Sequence, residues 1–150
     1  MSPRVTLTLF LVLVVGGGLA IGSLTLPGGW YAGLVKPAFN PPGWLFGPVW
    51  TVLYVCIAIA GWRIWQRDRR GWPMKLWWGQ LGLNFFWSPI FFGAHNVGLA
   101  LVVILLMLSV IIAFIAAASQ HDRVAAWLFV PYAAWVAFAS LLNGSIFALN

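Results

Sequence analysis

The sequence predicts an all-α integral membrane bundle of five transmembrane helices, a single domain over residues 1–150, with a long ordered loop between the first and second helices. Composition is the first observation behind this. Hydrophobic residues make up 63% of the chain and charged residues 7%, against roughly 25% charged in a water-soluble domain. Second, five stretches lack Asp, Glu, Lys and Arg altogether: Val5–Leu26, Trp44–Trp62, Leu76–Gly93, Val97–Ser119 and Val124–Leu149. Each approaches or exceeds the ~17–25 residues that cross a hydrocarbon core as a helix, which places spans at about 5–26, 44–65, 76–93, 97–119 and 124–149. Little chain remains for an aqueous domain. That excludes a nucleic-acid-binding module, in spite of a net charge of +6.

The first span begins after Arg4 and ends near the small residues Ala20, Gly22 and Ser23, which imitates a signal peptide. Its apolar run is longer than the ~7–15 residues of a secretory h-region, so a retained helix is expected. Gly18 and Gly22 form a GxxxG pair suited to close helix packing. The loop that follows, Leu26 to Gly43, reads LPGGWYAGLVKPAFNPPG. Its four prolines and four glycines forbid a continuous helix. Yet Trp30, Tyr31, Leu34, Val35 and Phe39 are interleaved with the breakers, and Pro37, Pro41 and Pro42 stiffen the chain. An ordered cover over a membrane-embedded site fits this pattern, while Trp30 alone suits interfacial anchoring equally well.

The second span runs into a basic cluster, Arg63, Arg67, Arg69, Arg70 and Lys75, with Asp68 inside it. The connection between the third and fourth spans carries no charge, and Asp122–Arg123 separates the fourth from the fifth. Alternating spans put seven of the eight Lys and Arg residues on one side, leaving Lys36 alone on the other. The positive-inside rule then gives a cytoplasmic N-terminus, with the first loop and the C-terminus outside. A multi-pass protein of a bacterial cell membrane is expected, with an outer membrane as the alternative. The Arg-Asp-Arg-Arg run also suits an anionic-lipid or partner patch, although topology accounts for it. Cys56, alone among apolar neighbours, allows no disulfide and no zinc cluster, and is expected as a small buried hydrophobe.

Polar side chains inside a span must face partners or a cavity. In the third span Gln80, Asn84, Trp87 and Ser88 share one face at about 100° per residue. Phe46, Trp50 and Tyr54 recur every four residues in the second span, as do Pro131, Trp135, Ala139 and Asn143 in the fifth. Three convergent stripes of aromatic and amide groups predict a pocket enclosed by helices and roofed by the first loop. Single amides also serve as interhelical glue, but the coincidence of stripes, with Ala139 leaving space, favours a pocket. Such a pocket suits a flat, apolar ligand with a few polar handles.

Conventional catalytic chemistry is absent from the pattern. Asp68 and Asp122 are flanked by Arg and are expected as solvated ion-pair partners. His95 and His121 fall at opposite membrane faces, so no metal site is expected. No phosphate-binding loop or nucleophile elbow is found. Without an intramembrane carboxylate or Lys, proton-coupled transport is disfavoured as well.

Three blocks carry a resemblance: WYAGLVKPAFNPPGWLFGPVWTVLY, WWGQLGLNFFWSPIFFG and DRVAAWLFVPYAAWVAFASLLN. In this order and spacing the chain, from about Trp30 to Asn150, resembles the tryptophan-rich sensory protein family, also called translocator protein or peripheral-type benzodiazepine receptor. The resemblance implies a five-helix membrane bundle, a homodimer, binding porphyrins and other flat hydrophobic ligands. It carries the ligand site onto Tyr31, Pro41, Trp50, Asn84, Trp135 and Ala139. Some family members are reported to promote light-dependent breakdown of protoporphyrin through tryptophans that match Trp50 and Trp135, which would make these the catalytic pair. The sterol-recognition stretch of animal members, a Tyr followed by Lys or Arg late in the fifth helix, is missing from SLLNGSIFALN, which puts cholesterol binding there in doubt.

The function expected is a membrane receptor or sensor for protoporphyrin IX or a heme-like tetrapyrrole, acting in tetrapyrrole regulation or stress response. A transporter of such ligands and a light-dependent porphyrin-degrading activity are the alternatives. Membrane lipid is the other expected partner, and no cofactor is required.

Overall fold

Ser2 opens the first helix, α1 (Pro3–Leu24): its hydroxyl accepts from the Val5 N–H at 3.2 Å, and Pro3 occupies a turn where no N–H is needed. The computed structural model describes all residues from Met1 to Asn150, and every regular element is helical. A π turn at Val12–Gly16 widens α1 midway. The next element is a single turn, α2 (Gly29–Ala32), set between the breakers of the first loop. A tight 3₁₀ turn then leads into α3 (Gly43–Arg67). Helix α4 (Trp72–Ser88) runs on through a π turn at Pro89–Gly93. Asn96 caps α5 (Val97–Ala118) by accepting from the Leu99 N–H at 3.0 Å. The last helix, α6 (Arg123–Leu149), is interrupted at Phe129, where Pro131 enters its second segment.

Four of these helices, α1, α3, α5 and α6, are long and apolar enough to cross a membrane. Helix α4 has 17 residues before its π turn and carries two buried amides, Gln80 and Asn84. It starts at Trp72, ahead of the predicted 76, because Pro73 suits a first helical turn and Lys75 stays exposed with its ammonium 5.1 Å from the Trp72 ring. Thus α4 packs on α5, α5 on α6, and α1 on α3.

Close approach depends on two glycines. A Cβ at Gly61 would overlap the indole of Trp77, which is fully buried and donates from Nε1 to the Ile57 carbonyl at 2.9 Å. At Gly18 a Cβ would overlap the Tyr54 ring, so this half of the GxxxG pair packs within the chain. Gly22 faces open space.

The basic groups gather at one end of the bundle. Trp62 donates to the Pro3 carbonyl at 3.0 Å, tying the start of α1 to the end of α3. Arg63 and Arg67 both donate from Nε to Asp122 Oδ2 at 2.9 Å, while Asp122 Oδ1 caps α6 through the Val124 and Ala125 N–H groups. Two aspartate expectations change here. Asp122 is buried rather than solvated, because it serves α6 and two guanidiniums at once. Asp68 forms no ion pair, since its Oδ1 accepts from the backbone N–H groups of Arg70 and Gly71. Cys56 is half-buried rather than in the core.

At the opposite end the first loop is tied down from several directions. Asn150 exchanges hydrogen bonds with the Val35 backbone at 3.0 and 2.8 Å, and the Thr25 and Ser88 hydroxyls meet at 2.6 Å. Trp30 stacks on His95 with centroids 4.2 Å apart and planes at 8°. His95 has φ of 55°, a left-handed conformation that non-glycine residues adopt at a cost unless the surroundings hold them. The stack is one such restraint.

Candidate ligand-binding cavity

The tied loop closes over a cavity of about 540 Å³, within the range of small-molecule sites. Its wall draws on every helix, with the predicted stripes of α3, α4 and α6 supplying much of it. The structure brings Tyr31, Pro41, Phe46, Trp50, Tyr54, Asn84, Trp87, Ser88, Trp135, Ala139 and Asn143 to this one hollow. Gln80 is the exception. It lies one helical turn deeper on α4, fully buried and off the cavity.

Tyr132 is the reason Gln80 is cut off. Its hydroxyl accepts from Asn84 Nδ2 at 2.7 Å and donates to Gln80 Oε1 at 2.8 Å. Gln80 Nε2 in turn donates to the Trp77 carbonyl at 2.9 Å. This chain of buried groups is internally satisfied, so Gln80 is structural glue beneath the floor. Pro131, also on a predicted stripe, is exposed and outside the wall.

On the side walls, Trp135 meets Phe46 edge-on at 5.6 Å, and Trp50 lies 5.4 Å from Tyr54 and 6.3 Å from Tyr132. Trp87 donates to Asn143 Oδ1 at 3.1 Å, and Asn143 Nδ2 donates to the Val97 carbonyl at 3.0 Å. Those two side chains are therefore fixed before any ligand arrives. Two buried polar atoms of residues that line the cavity have no partner: the indole Nε1 of Trp135 and Oδ1 of Asn40. An unpaired buried polar atom costs about 1–3 kcal/mol of stability. No Asp, Glu, Lys, Arg or His lines the cavity. Burial pushes the Tyr31 hydroxyl above its usual range, with the Asn40 side chain acting in the opposite sense, so at neutral pH the loop presents a neutral phenol.

Asn40, Phe91 and Met107 belong to the wall without having been singled out from the sequence. Asn40 carried a usable signal, as the sole amide among the breakers of the first loop. Met107 carried none, because α5 is apolar on every side and shows no face. The His95 ring stacks on Trp30, and no three His, Cys, Asp or Glu residues gather as a metal site would need.

The sequence pattern of the TspO/MBR family matches residues 9–149. This chain belongs to the TspO/MBR family. The tryptophan-rich protein TspO of Archaeoglobus fulgidus is 43% identical over 125 residues, covering 81% of this chain and 80% of its own. The translocator protein of Homo sapiens is 41% identical over 126 residues, covering 81% of this chain and 75% of its own. The tryptophan-rich sensory protein of Cereibacter sphaeroides is 37% identical over 135 residues, covering 90% and 85%. Membership makes the chain a membrane protein of the sensor and translocator group, in keeping with its apolar helices.

Proposed function

We propose that this TspO/MBR protein is a membrane receptor that binds a protoporphyrin-type tetrapyrrole, or a similarly flat apolar ligand, in the cavity beneath the first loop. The observation that carries this is the convergence of Trp50, Tyr54, Trp87 and Trp135 from separate helices on one uncharged aromatic wall. Apolar rings supply the burial and stacking surface. Polar side chains in the same wall, Tyr31 and Asn84 among them, orient the ligand. With no cation in the wall, the propionates of a porphyrin would have to leave by the opening, so the macrocycle is the part recognised.

In this reading α4 and its π turn form the fifth crossing, since its two interior amides have partners within the bundle. The end holding Arg4, Arg63, Arg67 and Arg123 faces the cytoplasm of a bacterial cell, and the first loop faces outward. Saturable quenching of tryptophan fluorescence by protoporphyrin IX tests the proposal. Trp135→Ala should weaken it about tenfold or more, in line with losing an aromatic wall. Unchanged affinity in a folded variant would remove the cavity as the site.

A second reading follows from Trp50 and Trp135 sharing the same wall. Light-dependent breakdown of bound porphyrin would then require both indoles. Illumination of the complex should yield a new absorbing species in the wild type and none in the Trp50→Phe, Trp135→Phe double variant.

A further inference from the structure

At the basic end of the bundle lies a second concavity, a groove of about 260 Å³ lined by Leu9, Phe10 and Leu13 of α1, Trp65 of α3 and Trp78 of α4. Met1 and Arg69 close it at the outer end, and the Arg69 guanidinium lies 5.1 Å from the Trp65 ring. Leu9, Leu13 and Trp78 are exposed, so the groove opens sideways toward the surrounding bilayer. From Pro3 to Leu13 the helix rises about 15 Å at 1.5 Å per residue, close to one leaflet of a hydrocarbon core about 30 Å thick.

The positive charge around its mouth exceeds what the chain's own acidic groups offset. The chain has two acidic residues. Asp122 is taken up by Arg63 and Arg67, and Asp68 by backbone N–H groups. Arg69 therefore has no carboxylate partner, and Arg4, Arg70 and Lys75 add positive charge at the same end. A second copy of this chain would bring the same basic excess to this end and could not neutralise it. The requirement is an apolar chain ending in an anion at the membrane surface.

We propose that this groove is a binding site for an anionic phospholipid, with one acyl chain along Leu9, Phe10, Leu13 and Trp78 and the headgroup phosphate on Arg69. Stacking on Trp65 leaves the guanidinium edge free to donate to phosphate oxygens. A zwitterionic headgroup would bring its own cation into the basic cluster and bind less well. The site is remote from the cavity beneath the first loop and does not depend on what that cavity binds.

The test uses the full-length protein in detergent, titrated with phosphatidylglycerol or phosphatidylcholine of identical chains and read by native mass spectrometry. Phosphatidylglycerol should be retained about fivefold or more over phosphatidylcholine, the scale of one surface cation acting on an anionic headgroup. Arg69→Gln should bring the two lipids to parity, while Arg70→Gln should leave most of the preference. Leu13→Trp, which fills the groove, should lower retention of both lipids. Equal retention by the wild type would overturn the site, as would an unchanged preference in Arg69→Gln, an exposed position where folding is not at stake. If soluble glycerol phosphate competed as well as the intact lipid, the site would be for a free anion and the acyl-chain assignment would fall.

Discussion

The Tyr132 hydroxyl stands between Asn84 at 2.7 Å and Gln80 at 2.8 Å, and so divides the amide stripe of α4 into a cavity-facing half and a buried half. Tyr132→Phe keeps the ring and removes the link. It leaves the Gln80 oxygen without a partner in a fully packed region and the Asn84 N–H without one at the cavity wall. An ordinary interhelical hydrogen bond in a membrane protein is worth about 0.6 kcal/mol. The unsatisfied groups matter more, at about 1–3 kcal/mol. Thermal unfolding in detergent should show a clearly lowered midpoint, and an unchanged one would mean the network carries no stability.

Gly18 lets the Tyr54 ring lie directly against α1, where any Cβ would overlap it. Gly18→Ala must therefore move Tyr54, and the cavity is the open side to which the ring can turn. Overpacking costs about 1–3 kcal/mol, and the displaced ring also takes volume from the ligand. Protoporphyrin quenching should weaken several-fold in Gly18→Ala. Gly22→Ala adds a methyl to the same wall, where it meets nothing within 4 Å and leaves Tyr54 in place, so it should weaken quenching less. Equal effects of the two substitutions would argue against a role for the Tyr54 contact.

Much of this arrangement was legible before any coordinates. Trp50, Asn84, Trp135 and Asn143 sit on helical faces whose polarity has no other use inside a membrane, so spacing alone brought them toward one hollow. Gln80 has the same spacing and a different fate, because which turn of a stripe meets the cavity depends on a Tyr132 donated by another helix. Helix α5 offered no face to read, and its contributions, Ile104 and Met107, emerged only with packing. The aspartates misled for a related reason. Flanking Arg residues suggest solvated local pairs, whereas the partners of Asp122 come from α3, more than fifty residues away in sequence.

The first loop is held against α4 by Trp30 on His95, and the strained φ of 55° at His95 allows ring and backbone to be separated. His95→Gly loses the stacking but relaxes the backbone. His95→Ala loses the stacking and keeps the strain, which costs about 1 kcal/mol relative to glycine in a left-handed position. Stability should fall in the order wild type, Gly, Ala. Stopped-flow quenching should show faster ligand dissociation in both variants and in Trp30→Ala, as expected for a loosened cover. If Ala and Gly prove equally stable, the conformation at residue 95 relaxes without the ring.

Asp122 ties acid sensitivity to the basic end of the bundle. Burial works to raise its carboxyl, but hydrogen bonds from Arg63, Arg67 and the Ala125 N–H outweigh this and hold it below the usual carboxylate range. The folded state therefore binds the proton less readily than the unfolded chain, whose carboxyl titrates near 3.9. This contribution to stability is fully present above about pH 4, and fades as pH falls through the depressed folded value. Asp122→Asn retains a capping oxygen for α6 but leaves Arg63 and Arg67 facing each other without a counter-ion. At pH 7 the variant should unfold at a lower temperature than the wild type, a loss of about 1 kcal/mol, since the two guanidiniums left without a counter-ion are partly exposed to solvent. Below about pH 4 the two should converge, because protonation does to the wild type what the substitution has already done. Parallel curves across that range would show that the acid transition arises elsewhere.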